Sequence, residues 1–307
     1  MATEKDTAMG DLEAKNDVFA DIMNVLMFKG KALVSENDLE QGREKSSYDS
    51  DQEVRIRPQY RDIHKFWKNC EVRLAYVGME NETEPEDDMP FRVIGYDGAG
   101  YRDQIYSYTD DEGKRWKNKE RYPVVTIVLY MGYKKHWDKS KSIYEVLGDG
   151  LDDALKPFVQ DYRINLFEIA FLEEEDVELF QSDFKIVADY LVQMRKNNDY
   201  TPSPQEIRHV REVLNAMAAL TQDTRFEEVY IEAKQKGDEP KTMSEVLDRV
   251  ENKGRTEGRK AERIEITKLM NYLLTNGRNE DAIRATSDEG FLDKLLSEFN
   301  GGVMATK

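Results

Sequence analysis

Val124-Val125-Thr126-Ile127-Val128-Leu129-Tyr130 is a continuous, β-branched run with no polar alternation. Such a run suits a central strand buried on both faces. A second strand is read upstream, from Val72 to Glu82. There Val72, Leu74, Tyr76, Gly78, Glu80 and Glu82 share one parity and hence one face. Ile164 to Phe171 is a third candidate. Strands mixed with helical segments make the chain α/β.

Working outward, Asn16 is placed to cap a helix whose apolar residues are Val18, Phe19, Ile22, Val25 and Leu26. Gly30 suits its C-terminal cap. Residues 35–58 are charged and form a loop or short hairpin. Pro58 opens an amphipathic stretch, Tyr60 to Asn69, on which Asp62 reads as helical. Residues 83–90 are acidic. Phe91 to Tyr108 reads as a second helix and 109–121 as a charged loop. Downstream, Val177, Phe180, Phe184, Val187 and Leu191 mark one helix. Ile207, Val210, Val213, Leu214 and Met217 mark another. The composition shifts at about Lys234 to Pro240. Beyond it come a highly charged helical segment, Met243 to Leu274, and a shorter helix, Glu289 to Phe299. The expected organisation is a disordered polar leader over 1–15, an α/β domain over 16–232 and a charged helical extension over 240–300.

The chain has 307 residues, with 45 Lys and Arg against 62 Asp and Glu, a net charge of −17. A chain this acidic does not grip nucleic acid by bulk electrostatics, so any such contact must be local. With 12 Phe, 16 Tyr and 3 Trp it has the material for a core. One cysteine, Cys70, excludes an intrachain disulfide framework and a Cys-rich zinc module. No signal peptide is visible, and the longest apolar stretch, Tyr122 to Met131, falls short of the ~18 residues of a membrane span. A soluble, cytoplasmic protein is expected.

The P-loop, the His-Glu-x-x-His zinc motif and the Gly-x-Ser-x-Gly elbow are all absent from the sequence. His64, His136 and His209 are widely spaced and read as surface or satisfied histidines. Two local basic strips carry aromatics: Lys114-Arg115-Trp116-Lys117-Asn118-Lys119 and Lys134-Lys135-His136-Trp137. Such strips read as solvated loops or as places for phosphates and stacked bases. The strongest chemical signal is Asp62 with Glu80-Asn81-Glu82. Alternation puts Glu80 and Glu82 on one side of a strand, roughly 6.6–6.8 Å apart along the backbone, with the Asn81 carbonyl between them. If Asp62 folds beside that strand, the carboxylates and carbonyl form a hard-oxygen site suited to Mg²⁺ or Mn²⁺.

These residues sit in a longer pattern. Asn16-Asp17-Val18-Phe19-Ala20-Asp21-Ile22, Phe28-Lys29-Gly30-Lys31, Tyr60-Arg61-Asp62-Ile63 and Gly78-Met79-Glu80-Asn81-Glu82-Thr83 come in order. Met89-Pro90-Phe91-Arg92, Tyr96-Asp97-Gly98-Ala99, Tyr122-Pro123-Val124-Val125-Thr126 and Asp161-Tyr162-Arg163-Ile164-Asn165 follow. Across about residues 16–230 the chain resembles the Rpn family of PD-(D/E)XK nuclease transposases, the recombination-promoting nucleases. The resemblance implies a restriction-endonuclease-like core, a mixed sheet flanked by helices, and Mg²⁺-dependent DNA cleavage that promotes mobility or recombination. It implies Asp62 and Glu80 as catalytic, metal-holding acids, joined by the Asn81 carbonyl. The third catalytic position, lysine or glutamine in the family, is Glu82 here. Asp17 or Asp21 of the first helix could complete the site. Lys114, Arg115, Lys117, Lys119, Lys134 and Lys135 would contact DNA, and the C-terminal helices could mediate a homo-oligomer. Glu82 and the acidic net charge also motivate a rival: a nuclease-like fold without activity, serving as a binding or regulatory protein.

Overall fold

The computed structural model describes residues 4–41, 63–69, 72–109 and 112–300. It forms two compact units, Met1–Glu245 and Val246–Lys307. The first unit opens with α1 (Glu4–Glu13) and α2 (Asn16–Ile22), which runs into a π-helical turn, Met23–Met27. Next come β1 (Leu39–Gln41), β2 (Ile63–Asn69), β3 (Val72–Glu82), α3 (Met89–Arg102) and a hairpin of β4 (Ser107–Thr109) and β5 (Arg115–Lys117). β6 (Val124–Tyr130), α4 (Ile143–Leu147) and β7 (Asn165–Glu168) complete the strands. α5 (Glu174–Val177), α6 (Phe184–Asn197), α7 (Val210–Thr221) and α8 (Arg225–Lys236) follow, and α9 (Met243–Thr275) carries the chain into the second unit.

The main sheet has the order β1-β2-β3-β6-β7. β1, β2 and β3 pair antiparallel, whereas β3, β6 and β7 are parallel. The β-branched run is β6, flanked by strands on both edges and buried at six of its seven positions. Register sorts the side chains. Ile63 pairs with Met79, Lys65 with Val77 and Met79 with Ile127, so these residues share one face. α1 and α2 lie against it: Gly10 approaches Ile63, and Lys65 Nζ donates to the Ala14 carbonyl at 2.6 Å. Gly78, Glu80, Glu82, Thr126, Val128 and Tyr130 take the opposite face, against α3. There Met89 and Val93 pack on Val128, Tyr130, Trp137 and Ile164. A Cβ at Gly100 would meet Val124 at 2.9 Å and Tyr76 at 3.3 Å, so glycine permits this close helix–strand approach. The result is a mixed five-stranded sheet flanked by helices.

Several local expectations are corrected. Residues 4–13 are helical, not a frayed leader, with Met9, Leu12 and Glu13 buried. Asn16 is the first residue of α2 and not its cap; its amide instead donates to the carbonyls of Glu36 and Leu39. The part of the 60–69 stretch that is described, Ile63–Asn69, is a strand. The second helix ends at Arg102, and the charged loop after it contains the β4–β5 hairpin. Asp62 and Cys70 lie outside the described residues.

The second unit is helical. α10 (Asn279–Ala285) and α11 (Glu289–Asn300) close on α9 through Leu269, Leu273, Ala282, Ala285 and Leu295. Gly277, at φ +74°, reverses the chain between α9 and α10. Among the described residues no helix is long and apolar enough to cross a membrane.

Candidate functional site

β3 delivers Glu80 and Glu82 to the face covered by α3, as strand alternation requires. The Glu80 side chain is 1% exposed and that of Glu82 is 15% exposed, so the pair steps from the interior towards the surface. Both meet Arg92 in the first turns of α3. Arg92 Nη2 donates to Glu80 Oε2 at 3.1 Å, and Nη1 donates to Glu82 Oε1 at 2.7 Å. The same Nη1 donates to Glu86 Oε2 at 2.6 Å, on the exposed turn before the helix. Burial disfavours the guanidinium charge, but a hydrogen bond with Tyr96, the charge of Glu82 and a hydrogen bond with Glu86 outweigh it and raise its pKa.

Asn81 faces the other way. Its side-chain amide donates to Glu13 Oε2 at 2.7 Å, beneath the end of α1. Backbone direction is set by the ladder. Tyr76 N donates to the Pro123 carbonyl, and the Glu82 carbonyl accepts from Met131 N. The even residues of β3 therefore bond β6, and the Asn81 carbonyl is turned towards the β2 side. β2 starts at Ile63 opposite Met79, and Asp62 precedes it in the chain. The two acids of α2 are engaged elsewhere. Asp17 contacts His209 Nε2 at 2.9 Å and Arg208 Nη1 at 3.0 Å. Asp21 accepts the amides of Gln181 and Ser182. Glu13, at the end of α1, does reach β3. Among the described residues, no group of three or more His, Cys, Asp or Glu side chains is placed to hold a metal ion.

The two basic strips lie at opposite ends of the sheet. Lys134 and Lys135 follow the carboxyl end of β6, where Tyr130 pairs with Glu82. A cleft of about 1180 Å³ opens there, lined by Thr83, Glu84, Lys134, Lys135 and the α7–α8 corner. Both lysines are exposed, and Lys135 bonds Asp138 at 3.0 Å. His136 stacks on Phe171 at 3.7 Å and meets Glu168 at 3.2 Å. Lys114, Arg115, Lys117 and Lys119 are exposed on or beside β5, ahead of the amino end of β6. Val124 pairs with Tyr76, four residues or ~13 Å along the strand from Glu80.

Sequence reasoning missed Arg92, Glu13 and Lys65. Arg92 had a readable signal: a cation early in a helix opposes the macrodipole and implies acidic company. Lys65 is buried in β2, where its Nζ also donates to Asn16 Oδ1. Burial lowers its pKa to about 8 against the opposing charge of Asp17.

No family model matches this chain, and no curated protein or solved structure matches it either.

Proposed function

We propose that this chain is a metal-dependent DNA endonuclease with a restriction-endonuclease-like core, of the Rpn type, serving DNA mobility or recombination. One observation carries the reading. Two carboxylates share a face of a central strand, at its carboxyl end and that of its parallel neighbour, and the inner one, Glu80, is fully buried. That end is where open α/β sheets bind ligands. Burying a carboxylate is costly, which favours a role beyond packing.

The donor set suits a hard divalent cation in its chemistry, since the oxygens are carboxylate and carbonyl. Glu80 with Asp62 and the Asn81 carbonyl would hold Mg²⁺ or Mn²⁺. Arg92 stands against Glu80 and Glu82, so binding requires it to turn outward; its side chain is 35% exposed and Glu86 is already its surface partner. When bound, the ion supplies polarisation of a phosphoryl oxygen and acidification of water. The protein's own groups do the rest. Glu82, at the rim, adds a third carboxylate beside the ion and strengthens its hold. Arg92, released from the carboxylates, donates hydrogen bonds to a phosphate. Lys134 and Lys135 hold the adjoining backbone from the cleft.

A second reading has its own observation. Arg92 already neutralises Glu80 and Glu82, as it would in a nuclease-like fold that binds or regulates without cutting. A plasmid-nicking assay at low salt separates the two. Nicking with Mg²⁺ or Mn²⁺ supports the endonuclease. No cutting of any DNA form with Mg²⁺, Mn²⁺ or Ca²⁺ favours the binding protein.

A further inference from the structure

The cleft beyond Glu82 has a largely neutral lining. Lys134 and Lys135 are matched in number by Glu84 and Glu227, and Lys135 also bonds Asp138 at 3.0 Å. Asn215, Thr221, Gln222 and Thr224 bring amides and hydroxyls, while Ala8, Ala218, Ala219 and Leu220 bring apolar surface. Tyr130 and Tyr133 add aromatic wall. Tyr130 is 1% exposed, and its hydroxyl donates to the Lys135 carbonyl at 3.1 Å, which ties the turn after β6 to the ring. A Cβ at Gly132 would run into that hydroxyl, so glycine is what lets the turn lie against Tyr130. Tyr133, the next residue, is partly buried.

Such a lining suits nucleobases better than a run of phosphates. A base offers a flat apolar face to tyrosine, alanine and leucine, and a polar edge to amides and hydroxyls. A duplex carries one charge per ~1.7 Å and calls for cations in a row, which this balanced cleft in a chain of charge −17 does not supply. A duplex is also read by elements that project into its grooves, whereas this site is recessed. Enzymes that work from a recess take a strand that is already single or turn the nucleotide out of the stack. Position adds to this. Thr83 and Glu84 follow Glu82 directly, and Tyr130 pairs with Glu82, so a strand held at the carboxylates continues into the cleft. Its volume of about 1180 Å³ exceeds the ~300–1,000 Å³ of sites that bury one small ligand, which leaves room for more than one nucleotide.

The geometry points to a substrate that is unpaired beside the cut: the cleft between the turn after β6 and the α7–α8 corner takes a short single-stranded stretch of DNA. A base stacks on Tyr133, Asn215 and Gln222 meet base edges, and Lys134 and Lys135 hold the one or two phosphates between them. This names the substrate of the site proposed above and rests on the endonuclease reading.

Fluorescence anisotropy of the full-length chain with labelled DNA of about 12 nucleotides, in EDTA, reads binding without cutting. The single strand should bind at least about tenfold tighter than a duplex of the same length. Tyr133→Ser should weaken single-strand binding by about tenfold, with unchanged circular dichroism. If Tyr133→Ser loses structure, Thr224→Glu takes its place; that position is exposed, and a third carboxylate in the cleft should give the same loss. Lys134→Ser with Lys135→Ser should flatten the log–log salt dependence of single-strand binding by about 1.4. No single-strand binding, equal binding of paired and unpaired DNA, or single-strand binding indifferent to both Tyr133→Ser and Thr224→Glu overturns the proposal. Cutting in Mg²⁺ of a forked against a fully paired duplex separates this from the endonuclease reading. Preference for the fork supports both. Cutting of both forms alike overturns the cleft's role and leaves the endonuclease standing. Single-strand binding that the variants abolish, without cutting of any DNA, removes the endonuclease and leaves the cleft as a site for unpaired DNA.

Discussion

Lys65 makes stability depend on pH in a way that one substitution isolates. The residue is 2% exposed, and its amine lies between the Ala14 carbonyl and Asn16, 5.5 Å from the ring of Phe19. Burial lowers its pKa from 10.5 to about 8. Between those values the unfolded chain keeps a proton that the folded chain has released. The unfolded state then binds more protons, so stability rises with pH across this window and is lost again as pH falls through about 8. The full difference corresponds to about 3 kcal/mol, of which about 2.5 kcal/mol falls between pH 7 and pH 10. Lys65→Met removes the titration and keeps most of the volume. Urea unfolding of both proteins, followed by tryptophan fluorescence, reads the effect, and all three tryptophans lie in the first unit. Other lysines and tyrosines titrate in both proteins and cancel in the difference. The wild-type stability minus that of Lys65→Met should climb by about 2.5 kcal/mol from pH 7 to pH 10. A flat difference, or one that falls with pH, refutes the reasoning and means that the amine is solvated or fully paired.

Further outcomes are expected at the site and in the core. Glu82→Gln should weaken Mg²⁺ affinity by about tenfold, because one carboxylate leaves the set, yet raise nicking at saturating Mg²⁺ by easing repulsion of the phosphate. A variant inactive at saturating metal would show that Glu82 is the base itself. Replacing Lys114, Arg115, Lys117 and Lys119 with Ser should flatten the log–log salt dependence of DNA binding by about 3; an unchanged slope moves the DNA path elsewhere. Gly100→Ala should lower stability by about 1–2 kcal/mol, since the added carbon meets Val124 at 2.9 Å and the overpacking exceeds the gain in helix propensity. An unchanged urea midpoint would mean that α3 can lift from the sheet at no cost.

β6 was legible because a strand buried on both faces needs no alternation to be recognised. β3 was legible through its parity, and with it the shared face of Glu80 and Glu82. β2 was hidden by its own core. It buries His64 and Lys65, and polar residues at buried positions mimic the polar side of an amphipathic helix. α1 was hidden for the same reason, with the buried Glu13 beside Met9 and Leu12. The partners of the site are tertiary: a cation early in a helix hints at acidic company for Arg92, but not at which acids. Arg92 reaches β3 from ten residues downstream of Glu82, and Glu13 reaches Asn81 across 68 residues. No local spacing encodes either contact.

The central claim is that Glu80 and Asp62 hold one catalytic cation. Rates of supercoiled-plasmid nicking in Mg²⁺, measured for wild type, Glu80→Ala and Asp62→Ala at equal protein concentration, test it most directly. The account predicts metal-dependent nicking by the wild type that falls by a factor of at least about 100 in both variants, each of which keeps the wild-type circular dichroism. Equal cutting by wild type and both variants would contradict it.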